Sequence, residues 1–211
     1  MTAADRFAAL PLRERKRAKL KVGLWRALRE RIEHTPFADI SVRELAASVE
    51  VSEPTFFAHF ASKTDLLAYH ICMWRIGTVL AAAEAPDGIE FIRRFFDETA
   101  RSIVAGPRMW FEITAEVARG GGICAVLDIG PAERLMVFDD ERALNIALTP
   151  QADLFRHHLR SSDDTDGTEV GVTGLLAGFY GVPLALGTAR LNELREAYRT
   201  HVDRFATTAV R

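Results

Sequence analysis

Between Val51 and Leu67 the chain reads VSEPTFFAHFASKTDLL. Ser52, Thr55, His59 and Lys63 put hydroxyls, an imidazole and an ammonium in one short stretch, with Phe56, Phe57 and Phe60 among them. Polar groups of these kinds bond phosphate oxygens and base edges, and an exposed ring can touch a thymine methyl. Upstream, Arg15, Lys16, Arg17, Lys19 and Lys21 form a dense cationic run, suited to neutralising phosphates. Other chemistries lack their parts. There is no nucleophile–base signature and no glycine-rich phosphate loop, so no enzyme activity is expected. Cys72 and Cys124 are far apart without a C-x-x-C partner, which suits a reducing compartment and argues against a disulfide or structural zinc. His157 and His158 precede Asp163, Asp164 and Asp166. Adjacent histidines on a helix point about 100° apart, and the DDTDG loop lacks the distal Glu of a calcium loop. No metal and no cofactor is expected.

Short, capped helices must hold these groups. Leu20, Leu24, Ala27, Leu28 and Ile32 recur at helical spacing after a basic lead-in to about Arg15, and Pro36 stops that helix. Ser41-Val42-Arg43-Glu44 has the form of a capping box, in which Ser and Glu satisfy each other's backbone amides. The helix it opens has an apolar face of Val42, Leu45, Ala46 and Val49. It is about two turns long and depends on its neighbours. Glu50-Val51-Ser52 makes a turn. Ser52 caps a third helix, and Pro54 sits in its first turn, where a missing amide costs nothing. Phe56 and Phe60 share the inward face, leaving Ser52, Glu53, Thr55 and Phe57 on the other side. Two short capped helices joined by a tight turn describe a helix-turn-helix.

Ser62 to Asp65 opens a long helix through Leu66, His70, Trp74 and Leu80. Helical segments follow at about 89–105, 107–119, 131–147, 150–160, 168–187 and 190–208. The expected fold is all-α: an N-terminal three-helix helix-turn-helix domain over 1–65, then a larger helical domain over 66–211. Charge divides the same way. Residues 1–65 carry twelve Lys and Arg against nine Asp and Glu, and the rest of the chain fifteen against twenty. A basic head on an acidic body implies that only the head meets a polyanion.

The stretch SVRELAASVEVSEPTFFAHFASKTDLL resembles the signature of TetR-family transcriptional repressors, and the likeness covers about residues 13–70. It rests on the capped helix, Leu45-Ala46, the Val-Ser turn, the aromatic-x-His-Phe group, Ser62-Lys63 and Leu66-Leu67. The resemblance implies a homodimer that binds a double-stranded DNA operator, with a C-terminal helical domain that binds a small molecule. It places Ser41 and Arg43 near the DNA backbone and Ser52, Glu53, Pro54 and Thr55 at the major groove. Phe57 and His59 take the family's Tyr and His positions, and Lys63 its phosphate-contacting lysine. Lys16, Arg17 and Lys19 extend that interface. Phe57 for Tyr loses a phosphate hydrogen bond, and Pro54 and Glu50 stand where small residues or Gly are usual.

In the body, Trp74, Phe95, Trp110, Phe111 and Phe138 are candidate walls of an apolar ligand site, with Glu112, Glu116 and His158 for polarity. Gly171, Gly174, Gly178 and Gly181 recur at spacings of three and four. Gly174, Gly178 and Gly181, with Leu194, Tyr198 and Phe205 of the last helix, are the expected dimer interface, a four-helix bundle formed with a second copy. Val170 to Gly187 carries no charge and is at the short limit for a membrane span, but a helix buried on all sides gives the same pattern. The reading is a cytoplasmic regulator, a repressor released by a small, largely apolar ligand. Its rival is a helical interaction protein that has lost specific DNA binding and takes a protein partner.

Overall fold

The computed structural model describes residues 2–86, 88–120, 127–159 and 165–206, leaving aside the side chains at 165, 166 and 206. Among them every regular element is helical: α1 (Ala3–Ala9), α2 (Leu12–Ile32), α3 (Val42–Ala47), α4 (Glu53–Phe57), α5 (Lys63–Ala82), α6 (Ile89–Ala105), α7 (Pro107–Ala118), α8 (Pro131–Phe138), α9 (Gln151–Leu159), α10 (Thr165–Leu186) and α11 (Leu194–Ala206). Three 3-10 turns, Phe37–Asp39, Glu141–Asn145 and Thr188–Glu193, join them. The all-α class follows. Gly121, Gly122, Cys124, Asp163 and Asp164 lie outside the described residues.

Where boundaries differ from expectation, local chemistry explains them. The basic lead-in is helical: Thr2 and Asp5 form a capping box that starts α1, and α2 begins at Leu12. The segment expected to run helically to 147 stops at Phe138, because Asp139 is left-handed (φ 48°) and turns the chain. Near 190 the backbone leaves helical geometry at Arg190, so α11 starts only at Leu194.

The chain forms two compact units. One comprises residues 1–77 and 108–148, the other 78–107 and 149–211. In the first, Leu24, Leu28 and Ile32 of α2 are buried, as are Leu45, Phe56, Phe60, Leu66 and Tyr69. The Phe56 and Phe60 rings lie 5.7 Å apart, and Phe60 meets Tyr69 edge-on at 5.5 Å. Each buried ring is worth about 1.5–3 kcal/mol, which offsets the weak intrinsic stability of helices as short as α3 and α4. The Arg134 guanidinium donates to the carbonyls of Ile129, Ala143 and Ile146, tying the chain on both sides of α8.

The Trp25 indole N–H donates to His70 Nδ1 at 2.9 Å. His70 keeps some exposed surface, yet burial, with Arg29 nearby, pushes its pKa down from 6.5 to about 3. The folded protein therefore holds His70 neutral where the unfolded chain would protonate it. That difference is absent above about pH 6.5 and costs stability progressively as the pH falls toward 3. His59 is shifted in the same direction. Urea midpoints between pH 7 and 4.5 should fall. His70→Gln, whose oxygen can accept the same indole hydrogen, should show a shallower fall.

In the second unit, α6, α9, α10 and α11 enclose Phe95, Phe96, Phe155, Phe179 and Tyr198, each buried. Phe96 meets Tyr198 edge-on at 4.9 Å and stacks on Phe155 at 5.6 Å. Pro183 lies inside α10 and cannot donate to the Phe179 carbonyl one turn earlier. The buried Tyr198 hydroxyl donates to that carbonyl instead, at 2.8 Å. Asp97 fixes α6 to α11. Burial opposes its charge, but hydrogen bonds from Arg195 and Arg199 prevail and hold its pKa below the ordinary value. By length and composition, Gly167–Leu186 is apolar enough to cross a membrane. Tyr198→Phe leaves a buried carbonyl unsatisfied and should cost about 1–3 kcal/mol, read from urea unfolding with an unchanged m value.

Candidate nucleic-acid interface

The turn between α3 and α4 is made by backbone bonds. Val51 N–H donates to the Ala46 carbonyl and Glu50 N–H to that of Ala47, the two bonds of a Schellman motif. The motif needs a left-handed residue, and Glu50 supplies it at φ 57°, at a cost of about 1–2 kcal/mol that Gly would avoid. Ser41 caps α3 reciprocally with Glu44. Ser52 caps α4 by accepting from Thr55 N–H, and its hydroxyl lies 2.9 Å from that of Thr55.

This geometry separates two faces of α4. Phe56 is fully buried and Phe57 is 48% exposed. Ser52, Glu53 and Pro54 are exposed beside Phe57, with Thr55 half-buried. Hydroxyls, a carboxylate and an aromatic ring are thus presented together at the start of a short helix. Serine can serve several bases, Glu53 can accept from a cytosine amino group, and Phe57 can touch a thymine methyl. Arg43 is exposed two residues after Ser41.

Beside the end of α4, a groove of about 740 Å³ is lined by Arg13, Glu14, Lys16, Arg17, Leu20, Ala58 and His59. It brings the expected Lys16, Arg17 and His59 together and adds Arg13. The spacing Arg13, Lys16, Arg17 is a helix-face signal that could have placed Arg13 with the others. Lys19 is exposed but does not line the groove. His59 is half-buried, and its Nδ1 has no hydrogen-bond partner. Burial, then Arg17 and Lys21, push its pKa down, so it stands neutral beside the cations.

Lys63 has a different use from the phosphate contact its position suggested. Its ammonium donates to the carbonyls of Phe37 (2.5 Å), Ala38 (3.1 Å) and Ile40 (2.7 Å) and sits 4.5 Å from the Phe37 ring centre. Three donors on three carbonyls leave no hydrogen for a phosphate. Lys63 fixes the turn that delivers Ser41. Nothing local in the sequence signals this, since the partners lie more than twenty residues upstream.

The other expected residues are divided between the units. Trp74, Trp110, Phe111 and Phe138 belong to the first. Trp74 and Trp110 meet edge-on at 6.4 Å, and the Phe138 ring occupies the space left by the missing side chain of Gly77. Phe95 and His158 belong to the second. Phe95 packs on Phe155 and Phe179, and His158 stacks on Phe91 at 3.7 Å. Most of the glycine stripe of α10 is occupied by its own chain. A Cβ on Gly174 would overlap Phe205, and one on Gly178 would overlap His201. Leu194 and Tyr198 are fully buried in their own unit. Gly181 alone of the six expected interface residues faces open space.

The capped pair of short helices forms a helix-turn-helix with an exposed polar row and a cationic groove. Residues 24–69 match the family model of bacterial regulatory proteins of the tetR family. That match falls on the helix-turn-helix itself, from within α2 into the start of α5. It matches no curated protein sequence. Its fold is similar to that of a candidate transcriptional regulator from Pseudomonas aeruginosa PAO1, with a TM-score of 0.56 and 19% identity over 96% of this chain and 95% of that one. A TetR-like transcriptional regulator from Rhodococcus sp. RHA1 gives a TM-score of 0.47 at 18% identity, covering 96% and 97%.

A cation that meets phosphate changes the salt dependence of DNA binding by about 0.9 in log–log slope per contact. Arg17→Ala should make the slope shallower by about that amount. Lys63→Met should lower folding stability by about 1.5–3 kcal/mol and leave the slope unchanged. Both slopes can be read by fluorescence anisotropy on one duplex.

Proposed function

We propose that this regulator is a cytoplasmic repressor that binds a near-palindromic operator as a homodimer and leaves it when a small, largely apolar ligand binds. The observation that carries the reading is the exposed row Ser52, Glu53, Pro54 and Phe57 beside the groove of Arg13, Lys16, Arg17 and His59. The cations hold phosphates and the row meets base edges. In this reading residues 1–65 bind DNA, and residues 66–211 bind the ligand and a second copy.

The outward face of α10 supports dimerisation. Val170, Thr173, Ala177, Gly181 and Leu184 are all exposed and recur every three or four residues. Val170 and Leu184 are 56% and 52% exposed. An apolar stripe of this spacing on an antiparallel helix pair suits a twofold four-helix bundle, and it accounts for the long apolar character of α10 without a membrane. Two recognition helices related by that axis would read half-sites about 34 Å apart or a multiple of that.

For the ligand, the first unit offers the aromatic surface of Trp74, Trp110, Phe111 and Phe138, and the second, separately, that of Phe95 with the titratable His158. A ligand shifts the equilibrium only as far as it prefers the conformation that cannot span both half-sites. Helix α5 carries Lys63 at one end and Trp74 further along, and is the natural element to bias.

Selection from a random duplex pool, with the purified chain at two salt concentrations, should enrich a sequence with twofold symmetry. Leu184→Glu should sediment as a monomer and enrich a single half-site. A folded wild-type protein that enriches nothing would reject specific operator binding and favour a protein partner. A dimeric Leu184→Glu would remove α10 from the interface.

A further inference from the structure

A buried ion pair ties the cationic helix of the interface to α8, far outside the segment that matches the family model. Lys21 Nζ donates to Glu133 Oε1 at 2.9 Å, with the two side chains 7% and 8% exposed. The ammonium lies 4.8 Å from the Tyr69 ring centre and 5.9 Å from that of Phe60. One charge on α2 thus touches α5, α8 and the residue chain just after α4. All four residues belong to the first compact unit.

Lys21 stands one turn beyond Arg17 and two beyond Arg13, on the α2 face whose outer end lines the groove. Buried, it cannot itself reach a phosphate. Its partner is held in place as well. A Cβ on Gly130 would fall 2.6 Å from Glu133 Oε2, so the glycine at the start of α8 leaves space for the carboxylate.

We infer that Glu133 is a positioning residue for DNA binding: through Lys21 it fixes the half of α2 that presents Arg13, Lys16 and Arg17 to phosphates. Without the carboxylate, the ammonium is left buried and unpaired. A charge in that state is strongly destabilising, and a turn or shift of α2 that brings the ammonium to water relieves it, which takes the cations out of register with the groove. The pair thereby makes the seat of α8 a condition of DNA binding.

This rests on the assignment of the α2 groove to phosphates, so the test separates the two claims. The salt slope of binding to a random-sequence duplex is measured for wild type, Glu133→Gln and the double variant Lys21→Met/Glu133→Leu. Hydrogen exchange of residues 13–21 is followed in the same samples. The double variant leaves no unpaired buried charge and so keeps the test open should the single variant prove unstable. The expected result is a slope shallower by about 0.9–1.8 for Glu133→Gln, one or two phosphates lost, with faster exchange in α2. The double variant should recover most of the wild-type slope. Two outcomes would overturn the positioning role: a folded Glu133→Gln with the wild-type slope and exchange, or a folded double variant whose slope stays as shallow as that of the single. A wild-type slope near zero would instead reject the phosphate groove itself.

Discussion

Helices of five and six residues have no stability of their own, and the proposed DNA-reading surface of this protein is built from two of them. What holds α3 and α4 is the burial of Phe56 and Phe60 against α2 and Tyr69. The rings set the rotation of α4. With Phe56 pointing inward, Phe57 is turned away from the core, while Ser52 and Glu53 are exposed at the N-terminal end of the helix. The caps then satisfy the backbone groups such short helices leave open.

Around that centre, charged side chains act as ties rather than as surface decoration. Lys63 gathers three carbonyls before α3, Arg134 gathers three around α8, and Lys21 meets Glu133 in the interior. Each joins segments distant in sequence, and each satisfies polar groups that burial would otherwise penalise. In the second unit Asp97 with Arg195 and Arg199, and Tyr198 with the Phe179 carbonyl, have the same role. A proline inside α10 is tolerated because a hydroxyl on α11 accepts the task of its missing amide.

Much of this was legible in the sequence, because it is local. Ser41–Glu44 and Ser52 announced their caps, Pro54 its place in the first turn, and the four-residue spacing of Phe56 and Phe60 their shared face. The boundaries that failed were set by single backbone angles. Asp139 in the left-handed region and Arg190 off helical geometry leave no mark that residue type alone reveals. Long-range partners were equally hidden. Only the fold brings the carbonyls of Phe37, Ala38 and Ile40 to Lys63, and Phe205 and His201 of the same chain against the α10 glycines. Spacing shows that a stripe exists, whereas the neighbour that covers it is decided by the tertiary fold.

The central claim is that DNA is met by the exposed row of α4 together with the first half of α2. Hydrogen exchange of the full-length protein, with and without a saturating duplex, reads that surface directly. The account predicts slowed exchange at residues 13–20 and 41–59 and little change in the amides of α10. Protection confined to α10 or α11, with residues 13–20 and 41–59 unaffected by bound duplex, would contradict it.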